Sequence, residues 1–175
     1  RFVFTSISYE NGSFWIYKTL PLKPQTIMIA KLVFYYPFIY IFSLIIVSLS
    51  NYYLYAERFI FSFSIFVITI MSFVISVYAL SFGSIFPDFK IENIHQIESS
   101  YGGFIFMALS LFYVMITVSL FAYPIRQYFI SLENKNIVYD WYYFYFSFAI
   151  FMIISFVSSF LLFNIAKKSI ENIEI

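Results

Sequence analysis

Charged residues are missing from four windows of this chain, 32–56, 59–87, 99–125 and 141–166, and all ten Lys/Arg and nine Asp/Glu fall outside them. A bilayer hydrocarbon core of roughly 30 Å needs about 20 apolar helical residues. A charge at its centre costs about 2.5–3.5 kcal/mol even on the lenient insertion scale. The pattern therefore predicts an all-α polytopic transmembrane bundle with four spanning helices, at about 28–50, 59–82, 103–123 and 142–164. The windows are continuous apolar runs, not the alternating ten-residue segments of a membrane β-barrel, which excludes that fold.

The sequence between the windows divides the chain. Residues 1–31 form a cytoplasmic or interfacial amphipathic segment, 32–166 the four-helix transmembrane region, and 167–175 a cytoplasmic tail. In the first segment Asn11-Gly12 marks a turn, and the aromatic run Phe14-Trp15-Ile16-Tyr17 precedes Lys18. Pro21 and Pro24 punctuate it, Pro24 suiting the first position of a helix. Aromatic rings at headgroup level with Lys reaching water would lie on the membrane surface. Pro37 inside the first span predicts a bend. Tyr52, Tyr53 and Tyr55, and then Trp141, Tyr142, Tyr143 and Tyr145, read as interfacial belts. Ser62, Ser64, Thr69, Ser72 and Ser76 give the second span small hydroxyls that favour close helix packing over a polar substrate path. After Pro87, the residues Ile91, Ile94, Ile97 and Tyr101 form one stripe of a short amphipathic helix. Glu92, His95, Gln96 and Ser99 occupy its opposite side, and Gly102-Gly103 closes it.

Composition sharpens this picture. A 62% hydrophobic fraction with 26 Phe and 17 Tyr would aggregate as a soluble domain but suits lipid. A net charge of +1 provides no field for nucleic acid. With no Cys, disulfides and thiolate chemistry are excluded. Counting Lys/Arg with a cytoplasmic N-terminus places seven on that side and three on the other, which predicts a multi-pass protein of the plasma or inner membrane with both ends cytoplasmic. The start at Arg1 reads as a piece of a longer polytopic protein.

Candidate chemistry is sparse. Glu92, His95 and Glu98 have a spacing used by carboxylate-bridged metal sites, but such sites need carboxylates from other helices and the spans supply none. A solvated helix face is the better reading, and no catalytic, cofactor or metal residue is assigned. Proton coupling within the spans is disfavoured by the same absence of ionisable groups. No Gly-x-x-x-x-Gly-Lys-Ser/Thr run occurs, so nucleotide phosphates cannot be cradled by that device.

The run Gly83-Ser-Ile-Phe-Pro87-Asp88-Phe89, followed by Glu92-Asn93, an Ile and Gly102-Gly103, resembles a loop of ABC exporter permeases related to the type 2 exporter fold. The stretch Ser6-Ile-Ser8-Tyr-Glu10 through Phe14-Trp15 and Pro21 to Ala30-Lys31 is similar to the same family's segment before a span, with Asn11 displacing the usual Gly by one position. The two matches cover roughly residues 3–115. The resemblance implies the C-terminal part of an exporter permease subunit that is not itself an enzyme and moves an unknown substrate. It further implies an ABC ATPase subunit as partner, with the lipid bilayer and the other half of the permease or a second permease copy. Glu10, Phe14, Trp15, Pro21, Lys31, Pro87, Asp88, Phe89, Glu92 and Asn93 are the candidate coupling residues. The rival reading is a membrane-embedded enzyme or assembly protein whose active half lies elsewhere.

Overall fold

The computed structural model describes residues 2–8, 23–87, 100–133 and 139–171. Among these every regular element is helical: α1 (Phe2–Thr5), α2 (Pro24–Tyr53), α3 (Arg58–Ile85), α4 (Tyr101–Glu133) and α5 (Trp141–Glu171). The four long helices are each long and apolar enough to cross a membrane. At 1.5 Å per residue, their 28 to 33 residues run roughly 42–50 Å, more than a hydrocarbon core requires. The surplus must tilt or project past the lipid. The expected short helix at 91–101 falls mostly on residues outside those described. Gly102 and Gly103 sit instead in the first turn of α4.

Local chemistry sets the helix ends. Lys23 is extended before α2 (φ −72°, ψ 140°), and Pro24 follows where a missing N–H costs nothing. Ser100 caps α4 by accepting the Gly103 N–H at 3.3 Å, and Asp140 caps α5 by accepting the Tyr142 N–H at 3.0 Å. α2 ends in a Schellman turn: the Ala56 N–H donates to the Asn51 carbonyl at 3.0 Å and the Tyr55 N–H to Tyr52 at 3.2 Å. Tyr55 takes the left-handed position (φ 49°) that glycine usually fills. The short connection folds α3 back against α2. Helix α2 continues through Pro37, and α4 through Pro124.

α3 is the centre of the bundle and packs against α1, α2, α4 and α5. Its second half, from Ser72 onward, contributes Val74, Ser76 to Leu80, Ser81, Phe82, Gly83 and Ser84 to the interior. Small side chains here let neighbouring backbones approach, which is what drives association where lipid tails are as apolar as leucine. Most of its hydroxyls are consumed locally, while the Ser81 oxygen is buried without a partner. Ser64, Thr69 and Ser76 each donate to the carbonyl four residues back, at 2.7–2.8 Å. The interior thus gains packing without a polar lining. Among the described residues, a hydrogen bond between the Tyr113 and Ser155 hydroxyls at 2.7 Å joins α4 to α5.

Candidate functional site

The bundle has two chemically distinct ends. At one, α1 is inserted against the end of α3. Val3, Phe4 and Ile7 are buried there, with Phe4 stacked on Phe106 of α4 at 5.9 Å. The Phe4 carbonyl lies so close over Gly83 that a Cβ on that residue would overlap it. Gly102 faces the same joint, where a Cβ would stand 2.6 Å from the Phe86 Cβ and 3.3 Å from the Phe4 ring. Glycine is required at both positions by proximity.

Polar groups tie this joint together. The Lys31 ammonium of α2, buried, donates to the Ser6 carbonyl at 2.8 Å. Ser169 of α5 donates to the Ser84 carbonyl of α3 at 3.1 Å, and Ser6 turns its hydroxyl onto the Val3 carbonyl at 2.7 Å. Segments from all five helices therefore converge on one end. What the geometry offers is close backbone packing and hydrogen bonding. Such a joint holds a segment in place, and a shift of α1 would be felt directly by α3 and α4 and, through Lys31, by α2.

The opposite end is an aromatic cluster. Phe59 of α3 packs against Tyr128 of α4 and Trp141 of α5 at 4.8 and 5.3 Å. Phe63, Phe121 and Phe144 continue the cluster inward. Tyr128 donates to the Glu57 carboxylate at 2.6 Å. Tyr139, in the loop before α5, donates to the Pro124 carbonyl at 3.3 Å, and burial, with the Asp140 carboxylate next to it, raises its phenol above the ordinary value.

Of the residues singled out in the sequence, Lys31 enters the joint directly. Pro87 follows Phe86, whose side chain packs over Gly102, so it too sits at this end, half-buried. Glu10, Phe14, Trp15, Pro21, Asp88, Phe89, Glu92 and Asn93 lie outside the described residues, as does the Glu92/His95/Glu98 group. Sequence reasoning missed α1 as a buried element and missed Ser169. The signal for α1 was there: Val3, Phe4 and Ile7 are too apolar for a surface stretch of chain.

Residues 1–175 match the protein family described as Putative ATP-binding cassette. No curated protein and no solved structure matches the chain. The family match corrects three expectations. The chain was expected to be an exporter permease, to act as a permease subunit, and to leave ATP hydrolysis to a separate subunit; the matching family is described by ATP binding itself. A link to ABC transport stands at that coarse level, while the permease role and the assignment of ATP chemistry to a partner do not. The fault lies in carrying the division of labour over from two loop resemblances, to which the missing motif added little. Lack of a Gly-x-x-x-x-Gly-Lys-Ser/Thr run excludes one phosphate-binding device within these residues, and no more than that.

Proposed function

Because the chain belongs to this ATP-binding cassette family, we propose that it works in ATP-dependent transport as the membrane-embedded region that anchors the protein and carries nucleotide-driven movement. The observation that supports this reading best is the family match over residues 1–175 in a chain with four helices fit to cross a membrane. The α1 joint is the place where movement would enter. It is a packed element with discrete contacts, and coupling travels through elements that have two arrangements, not through soft deformation. Glu10, Phe14 and Trp15 follow α1 in the sequence, and Asp88 and Glu92 follow Pro87, so both groups flank the joint along the chain. The seven-to-three Lys/Arg asymmetry supports placing this end on the cytoplasmic side of the plasma or inner membrane.

Azido-ATP labelling of the purified full-length protein in lipid nanodiscs tests the reading. The protein's own polypeptide should take the label, and excess ATP should displace it. Label confined to a co-purifying chain, or no label at millimolar nucleotide, would overturn it.

A further inference from the structure

A cavity of about 420 Å³ lies between α2, α3 and α5. Its walls include Ile29 and Leu32 of α2, Phe73 and Val77 of α3, and Phe156 and Phe160 of α5. Two hydroxyls, of Ser155 and Ser159, interrupt this hydrocarbon surface. Ser155 is engaged with Tyr113 at 2.7 Å, whereas the Ser159 oxygen is buried without a partner. Water in such a space would need two to four polar partners, which the walls do not supply. An apolar occupant fits, and the cavity is within the range of roughly 300–1,000 Å³ typical of ligand pockets.

The position of the cavity identifies its occupant. It opens sideways, because Phe156 is 73% and Phe160 58% exposed on the face of a helix that can cross a membrane. Along α5 it runs from Met152 to Phe163, about 16 Å at the helical rise, or half of a hydrocarbon core. That is one leaflet, the one at the α1 end. The stripe Phe156, Phe160, Phe163 then continues in steps of four, three and four to Lys167, one turn beyond the cavity. Lys168 stands beside it, and Glu171 lies one turn further, so this mouth keeps a positive balance. We propose that the groove holds one acyl chain of an anionic phospholipid, with Lys167 engaging the headgroup phosphate. This inference is independent of the ATP reading, since it uses none of the residues on which ATP binding would depend.

Native mass spectrometry of the protein, after exchange into nanodiscs of defined lipid, tests the proposal. The wild type should retain phosphatidylglycerol over phosphatidylcholine by about fivefold, the effect expected of one basic residue at an anionic membrane surface. Lys167→Gln should reduce that preference to near parity, and Lys167→Arg should keep it. Ser159→Trp should fill the groove and release both lipids, with far-UV circular dichroism confirming that the helices persist. Equal retention of the two lipids by the wild type would overturn the proposal. So would a dimer that sheds lipid entirely, which would mean that a second copy covers the groove.

Discussion

Helices α2 and α3 are read alike from composition: both are charge-free over more than twenty residues and both are long enough to span a bilayer. Yet they end in different environments. α3 packs against four other helices and buries most of its second half, Leu80 fully, whereas α2 leaves Phe34, Phe38, Phe42, Ile46 and Tyr53 exposed, Phe42 at 68%. Hydrophobicity does not separate them, because in lipid it provides no drive from one helix toward another. Side-chain size does. The buried half of α3 reads Ser72, Ser76, Ala79, Ser81, Gly83 and Ser84 at and between its contact positions, while the matching length of α2 is dominated by Phe, Tyr, Ile and Leu. Small residues let backbones meet; large ones spread a helix into the acyl chains.

The sharpest way to break this contrast is at Gly83. Any side chain there meets the Phe4 backbone, which cannot rotate away as a flexible side chain would. Gly83→Leu should unseat α1 and cost about 3 kcal/mol, the upper range for overpacking. Unfolding in mixed detergent micelles would report the loss. Hydrogen exchange at residues 2–8 would show whether α1 has come free; unchanged protection would refute the tight backbone contact.

A paired substitution comes next. Ala79→Leu in α3 should destabilise by about 1–3 kcal/mol through overpacking. Phe42→Leu in α2 should stay within about 0.5 kcal/mol, as for other substitutions outside a packed core. Equal losses at the two sites would mean that α2 is covered by something in the membrane.

Much of this fold was legible in the sequence. The charge-free windows are a direct record of the hydrocarbon core, so four long apolar helices follow from them. Helix ends were less legible, since α4 runs past Pro124 and Arg126 to Glu133, in residues that no longer need to avoid charge. The α1 joint was hidden for another reason. Phe4 and Gly83 are far apart in the chain, and nothing local marks their contact. Lys31 looked like an interfacial lysine reaching to water, but it is buried against Ser6, because the turn after α1 offers it a carbonyl. The placement of ATP hydrolysis in a separate chain came from the resemblance of two loop segments to exporter permeases, and the match to a family described as Putative ATP-binding cassette overturns it.

Smaller effects refine the comparison at the helix junctions. Tyr55 holds a left-handed backbone that costs a non-glycine residue about 1–2 kcal/mol. Its side chain is 94% exposed, so Tyr55→Gly should be stabilising by up to about 1 kcal/mol after the entropy of the unfolded glycine is counted. Tyr113→Phe removes the link from α4 to Ser155, and membrane-buried hydrogen bonds of this kind average about 0.6 kcal/mol. A double substitution with Ser155→Ala would show whether the two hydroxyls act as a pair. Additive losses would mean that they do not.

The smallest effect expected lies at the aromatic end and depends on pH. The Tyr139 phenol touches Trp141 and Tyr128 with ring centres at 4.8 and 5.3 Å, and donates to the Pro124 carbonyl. Burial there disfavours the phenolate, and the Asp140 carboxylate disfavours it further, so the folded pKa lies above the unfolded value of about 10. The folded state then binds the proton more tightly than the unfolded chain. Its contribution is fully present below pH 10 and is lost as pH rises through the raised folded pKa. Tyr139→Phe has no such group. The stability gap between wild type and Tyr139→Phe should be constant up to about pH 10 and then drift in favour of the variant. Because the tyrosine is partly open to solvent, the drift should be small. A gap that stays flat to pH 12, measured by unfolding in the same detergent, would show that the far end does not shield its phenol and is looser than the α1 joint by more than its packing suggests.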